Sequence, residues 1–388
     1  MMRQIKIKKI VSLLLLFTAV LLVVSCGPKA RVPTSQLDTP EHHTYTGLRL
    51  LNQEKYADAQ REFELAIQLD PKYSKAFTGI ALAKTYSGDF NSARENLKLG
   101  WKYAKTDDEK LLVYVSRIRY YTQSKLEKKW LVLARDEFDD AVKMDAKYSP
   151  AYYFMGLAYK AALEFNQAAQ MFAKVIDLKS DYVGEADTQW NIMQKIQRAM
   201  PGSINGKIIA IVDRITRADA AALFMEELRI DVLYKKRTIK SFDTSFKDPG
   251  QAAAKPGKPT AKDIADHPLK ADIEGILEVS VRGLENYPDG NFHPGELVTR
   301  AAYAMMLEDI LIKVTGDNAL ATKFIGSTSP FPDLRPDLPY FNAVMVVTSR
   351  GIMEAKDMTS GEFAPLNPVP GVDALLIIRK IKQELNFN

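Results

Sequence analysis

Cys26 is the single cysteine of a 388-residue chain, and it stands directly behind an apolar run, Ile10 to Ser25, preceded by Arg3, Lys6, Lys8 and Lys9. A basic segment, an apolar segment and a small residue before a cut are what a secretory signal needs, and the run is short for a membrane span. An uncleaved anchor helix is the competing reading of the same residues. A chain that leaves the cytoplasm with one cysteine closes no internal disulfide, so its thiol pairs between molecules or serves another chemistry. Arg217 and Arg300 are the other candidates. Each follows a threonine suited to capping a helix, and the first turn of a helix does not favour a cation by its dipole. A guanidinium makes two parallel hydrogen bonds to a carboxylate, which suits it to recognising an acidic group.

Other chemistries find little support. His42, His43, His267 and His293 are scattered through tether and loops without metal-ligand spacing, so neither a metal nor a cofactor is expected. Adjacent acidic pairs such as Asp139-Asp140 and Glu226-Glu227 point to different sides of a helix and read as solvated faces. No phosphate-binding loop or nucleophile elbow appears. The formal charge is +5, and the four basic residues before Cys26 account for all but one of those charges. A nearly neutral remainder lacks the cationic face that nucleic-acid binding requires, and that class is discarded.

The residues Val23-Val24-Ser25-Cys26 resemble a bacterial lipoprotein box. The resemblance implies a signal peptide over 1–25, a diacylglyceryl thioether on Cys26, and a lipid anchor to a membrane. Gly27 stands where enteric bacteria place the Asp that retains lipoproteins at the inner membrane, so the outer membrane, facing the periplasm, is expected where the source has two. Residues 26–40, with Pro, Ser and Thr and little apolar content, read as a tether. The stretch 248–262 reads as an exposed loop or insertion.

Two sets of repeats must position these residues. From residue 41 the sequence repeats with a period of 34: Tyr56, Ala59, Phe63, Ala66 and Pro71 are answered by Phe90, Ala93, Leu97, Gly100 and Lys105, with Pro71 the one mismatch. The last copy, Tyr152, Met155, Gly156, Tyr159, Phe165, Ala168 and Phe172, resembles the tetratricopeptide (TPR) repeat, an antiparallel helix pair whose small residues admit neighbouring aromatics. Copies start near 40, 74, 115 and 149, with extra residues between the second and third, and a closing helix spans 186–200. These signature residues are packing positions. By the TPR register the groove of the 41–200 array exposes Thr78, Leu82, Tyr153 and Leu157 to a protein partner that the sequence does not identify.

In the second half, Gly283-Leu284, Tyr287-Pro288-Asp289-Gly290, Phe292, Pro294 and Val298-Thr299-Arg300-Ala301 resemble the S-layer homology (SLH) repeat. Ile215-Thr216-Arg217-Ala218-Asp219 repeats the end of that pattern earlier in the chain. Phe331-Pro332-Asp333, Gly351, Phe363, Pro365 and Pro368 repeat it later. The resemblance implies a three-copy module over 201–388 that binds cell-wall glycan, peptidoglycan or a secondary wall polymer, with Arg217, Arg300 and Asp289 at the glycan. Pro370-Gly371-Val372-Asp373 replaces the Thr-Arg motif in the third copy, so at most two glycan sites are expected. The first copy lacks a clear leading half.

These readings converge on an all-α envelope lipoprotein, a scaffold that binds glycan through one half and a protein through the other. The alternative is an assembly factor for a secretion, pilus or polysaccharide-export machine whose SLH-like module has lost glycan binding. An enzyme reading, a wall hydrolase with an unrecognised site, finds no unassigned stretch long enough for a catalytic domain. Metabolic labelling with a fatty-acid analogue is expected to mark the wild-type chain and not Cys26→Ala, which accumulates as uncut precursor; equal labelling of both would sink the lipid-anchor reading.

Overall fold

The computed structural model describes residues 30–237 and 260–385. The apolar run, Cys26 and residues 248–259 of the stretch 248–262 lie outside them. Among the described residues every regular element is helical, and no helix is long and apolar enough to cross a membrane. Two compact units divide between Asp187 and Thr188.

The first unit is four helix pairs: α1 (Pro40–Asn52) with α2 (Tyr56–Leu69), α3 (Ser74–Tyr86) with α4 (Phe90–Tyr103), α5 (Asp107–Ser124) with α6 (Trp130–Met144), and α7 (Ser149–Ala161) with α8 (Phe165–Leu178). Missing side chains make the pairing possible. Phe63 is fully buried between Gly47 and Gly79, and a Cβ on Gly47 would stand 2.6 Å from its ring. Gly156 stands in the same relation to Phe172, again at 2.6 Å. An interior this close-packed leaves no room for an added methyl group without movement of the ring. Along the array runs a chain of ring contacts. Tyr56 stacks on Tyr86 at 5.6 Å, the Arg119 guanidinium lies 5.2 Å from Tyr86 and 4.4 Å from Phe154, and Phe154 and Tyr153 both meet Tyr182. Such cation–π contacts contribute about 0.5–2 kcal/mol each, and these link helices of successive pairs.

Expectations about the array's third pair and its groove change. The third pair begins at Asp107 rather than near 115, because the extra residues are largely helix: α5 has 18 residues where α1, α3 and α7 have 13. A capping box between Thr106 and Glu109 starts α5 early. Thr78 and Leu82 are not on a groove. Helix α3 packs against α1, α2, α4 and α5, so both residues are buried, with Thr78 donating to the Ser74 carbonyl and Leu82 in the cluster around Phe63. Tyr153 and Leu157 are partly exposed.

The second unit contains α9 (Val183–Ala199) from Thr188 onward, then α10 (Ile204–Ala210), α11 (Arg217–Ala222) continued by a π-helical turn over Leu223–Glu227, and α12 (Ile230–Arg237). After the stretch that is not described come α13 (Lys270–Val279), α14 (Arg300–Thr315), a 3-10 turn over Asn318–Thr322, α15 (Phe341–Ser349) and α16 (Gly371–Glu384). A short helix followed by a longer helical segment recurs three times, as α10 and α11 with its π-helical continuation, α13/α14 and α15/α16. Most of the expected closing helix therefore belongs to this unit: Lys195 donates to Asp373 at 3.0 Å, and Arg379 donates to the Arg198 carbonyl. Glu227 is not on a solvated face. It is buried and accepts from the N–H groups of Gly202 and Ser203, at 3.0 and 2.8 Å, where α10 begins.

His42 and His43 lie within α1 rather than in a tether, and His43 joins the chain's first described residues to the array. Arg31 grips Asp38 with both Nη atoms, at 2.8 and 2.7 Å, and its hydrogen bonds hold the Asp38 carboxyl well below the usual carboxylate range. His43 Nε2 lies 3.0 Å from Asp38, and its Nδ1 lies 2.7 Å from Glu62. A neutral imidazole has one N–H, so both bonds form only with the imidazolium. Burial alone would lower the His43 pKa; hydrogen bonds to Glu62 and Asp38, with their charges, outweigh it and raise the pKa. A raised folded-state pKa gives stabilisation that is complete below the unfolded value of about 6.5 and is lost as pH rises through the folded value. Thermal unfolding of the full chain is therefore expected to show a Tm gap between wild type and His43→Gln that is wide near about pH 5.5 and closed by about pH 9. A gap independent of pH would refute the charged bridge.

Candidate functional site

The three copies of the second unit meet at Ile215, Val298 and Val369, all buried. Ile215 donates its N–H to the Val369 carbonyl at 2.9 Å, Val369 to Val298 at 3.1 Å, and Val298 to Ile215 at 3.0 Å, closing a ring. Two residues further along, each copy enters its long helix and docks on the loop of the next copy. The N–H of Arg217 donates to the Glu296 carbonyl at 2.8 Å, that of Arg300 to Asn367 at 2.9 Å, and that of Gly371 to Val212 at 3.0 Å. Thr216 caps α11 and Thr299 caps α14, each hydroxyl accepting an N–H three residues on at 3.2 Å. Asp219 completes a capping box on Thr216.

Two aspartates shape the loops that receive these helices. Asp263 accepts from the N–H groups of Phe292 and His293, both at 2.8 Å, and Asp333 accepts from Phe363 and Ala364 at 2.9 and 2.7 Å. Desolvation opposes ionisation of Asp263, and the backbone donors prevail and lower its pKa. His293 and Ala364 both take positive φ, 54° in each case, so the two loops turn alike despite different residues.

Arg217 and Arg300 are 6% and 5% exposed, and their guanidinium groups face inward. All three nitrogens of Arg217 donate to backbone carbonyls: Nε to Phe292 at 2.9 Å, Nη1 to Gly283 at 2.5 Å and Nη2 to Glu285 at 2.8 Å. Arg300 donates from Nε to Phe363 at 2.7 Å and from Nη2 to Glu354 at 2.6 Å. Each guanidinium also lies against a phenylalanine ring, Phe292 at 4.7 Å and Phe363 at 4.5 Å. The fork expected to meet an acidic sugar is instead tied to the protein. The reason is that a tight loop turns its carbonyls inward, buried acceptors need donors, and arginine supplies five. These carbonyls, and not the helix dipole, account for a cation in the first helical turn.

Gly371 explains the missing third arginine. A Cβ built there would collide with the Ile209 carbonyl. The first copy passes from α10 to α11 through residues 211–216 alone, where the others have the long loops 280–299 and 350–370, so the backbone at the end of α10 lies directly against the start of α16. No side chain fits. Asp289, expected at the glycan, accepts from the Asn291 N–H at 2.8 Å and pairs with His293 Nε2 at 3.0 Å, so it shapes the Pro288-Asp289-Gly290 turn. Gly290, with φ of 82°, supplies the conformation that turn requires.

Above each arginine lies a groove. The one over Arg217 measures about 370 Å3 and is lined by Glu285, Tyr287, Glu296 and Met306. The one over Arg300 measures about 520 Å3, and Lys195, Arg198, Lys356 and Lys380 line it. Burial pushes the Arg300 guanidinium below its ordinary pKa, opposed by the charges of Asp373 and Asp333. No motif marked the four surrounding cations in the sequence, since they come from separate segments. Among the described residues no cluster of three or more His, Cys, Asp or Glu could hold a metal ion.

Comparison with known proteins agrees with both halves. Residues 284–304 match the S-layer homology domain family. The chain is also similar to Tetratricopeptide repeat protein 6 of Homo sapiens, 28% identical over 139 residues, which cover 35% of this chain. The chain spans 25% of that relative's length. The fold is thus all-α, a TPR solenoid followed by a three-copy helical module that carries an SLH segment. Gly371→Ala is expected to destabilise the full chain by about 1–3 kcal/mol through overpacking. Gly295→Ala, where an added Cβ meets nothing within 4 Å, is expected to stay within about 0.5 kcal/mol in the same denaturant titration. Equal losses would contradict the close approach at Ile209.

Proposed function

We propose that this protein is a cell-envelope scaffold that binds wall glycan through its second unit and a protein partner through its helical array, held to a membrane by lipid on Cys26. The match of residues 284–304 to the SLH family carries the wall-binding part, because the matched segment builds the loop and helix start that bound the two grooves. Arg217 and Arg300 form the floors of these grooves and set their shape, while the surrounding side chains meet the ligand. The array, with Tyr153 and Leu157 partly exposed, supplies the protein-binding face that TPR solenoids use. Scaffolding rather than catalysis is the reading that fits repeats from end to end.

Full-length protein in detergent is expected to pellet with purified walls of its own organism, less at high salt, and to lose that sedimentation when the walls are stripped of anionic polymer by acid. Failure to pellet with intact walls would remove glycan binding from this reading.

A further inference from the structure

The strap of residues 31–39 that leads into α1 carries its polarity inverted. Arg31 donates its N–H to the Gln68 carbonyl, in the last turn of α2, at 2.6 Å. Thr34 donates both its N–H and its hydroxyl to Asp38, at 2.6 and 2.8 Å, beside the Arg31 fork and His43. Asp38 is 6% exposed, so the polar side chains of the strap are engaged with one another and with the first helix pair. The apolar ones are left outside: Val32 is 80% exposed and Leu37 66%. One exposed Val or Leu on a protein surface means little. Two of them on a short strap whose polar groups turn inward give that strap an apolar outer surface on a held support. Its charges cancel as well, since Arg31 faces Asp38 and the His43 imidazolium lies between Asp38 and Glu62.

We propose that Val32 and Leu37 rest in the surface of the bilayer that holds the lipid anchor, so that the strap docks the first helix pair of the array on the membrane instead of leaving it to swing on a tether. This rests on the lipid reading of Cys26 and adds a protein surface to it. Reach identifies the occupant. Cys26 lies five residues before Arg31, and five residues span at most about 18 Å when fully extended. Acyl chains on Cys26 therefore hold Val32 and Leu37 beside the headgroups at a high effective concentration, where a weak apolar contact suffices because it is intramolecular with the anchor. Since the charges of the strap cancel, the contact is apolar and needs no anionic lipid. The bonds of Asp38 then act at a distance from it: by fixing the strap to α1 and α2, they make the first pair the membrane end of the array.

The test uses the full-length lipidated chain in phosphatidylcholine vesicles, with a polarity-sensitive dye on a cysteine placed at Ser35, between Val32 and Leu37, or at Ser180, directly after α8. Both serines are exposed. A thioether leaves Cys26 without a thiol, so only the introduced cysteine takes dye. Spin-labelled lipid is expected to quench the dye at Ser35 and not at Ser180. Val32→Ser with Leu37→Ser is expected to bring quenching at Ser35 down to the level at Ser180 while the chain still floats with the vesicles; both side chains are exposed, so its Tm in detergent is expected to match wild type. Equal quenching at the two positions, full quenching in the double variant, or quenching only with anionic lipid would overturn the docked strap. A blue shift at Ser35 without quenching by lipid would assign the two side chains to a protein partner and overturn it too. Dye uptake by the wild-type chain, whose one cysteine is Cys26, would reveal a free thiol and refute the lipid anchor itself, and the strap with it. Wild type that takes no dye and floats, but shows no quenching at Ser35, refutes the strap alone and leaves the anchor standing.

Discussion

The second unit depends on three backbone hydrogen bonds that form a ring through Ile215, Val298 and Val369. Each contributes only about 1 kcal/mol, but buried backbone groups left without partners would cost more, and no strand among the described residues offers an alternative. The ring also fixes register. Because each long helix starts two residues beyond a ring member, its first residue meets the loop of the following copy and no other. That placement brings the Arg217 and Arg300 guanidinium groups under carbonyls more than fifty residues away in sequence. It also brings Gly371 against Ile209. The Thr-Arg motif and its loss in the third copy therefore have one cause.

The array obeys a simpler constraint, the volume of an aromatic ring. Phe63 and Phe172 are fully buried where glycines on neighbouring helices stand aside for them. Such positions were legible in the sequence because the rule acts on residue size at a fixed period. The groove was less legible. Thr78 and Leu82 follow the register of an exposed position, yet α3 is surrounded by α1, α2, α4 and α5, and the long α5 belongs to a pair whose start the 34-residue period misplaced. Burial depends on neighbours, and periodicity describes one helix at a time.

The site shows the same division. Turn chemistry at Pro288-Asp289-Gly290 and capping at Thr216 and Thr299 could be read from local sequence, because proline, glycine and threonine act on their own backbone. What Arg217 and Arg300 face could not. An arginine fork suits carboxylates and carbonyls alike, and only the packed structure shows which acceptors are near. The cations around Arg300 were hidden for a different reason: Lys195, Lys356 and Lys380 are distant in sequence and meet through the docking of α9, a loop and α16. Asp373, one position in an eroded motif, gave no hint that two of them converge on it.

Ring closure also sets an order of events. Ile215 opens the ring and Val369 closes it, so the first copy lacks its acceptor until the last copy has been synthesised. Contacts between the two ends of a module form slowly, since loop closure must precede any gain from them. The three copies therefore cannot complete their shared ring before the last of them has left the ribosome, and any shorter piece of the module ends with an unpaired donor or acceptor at its centre.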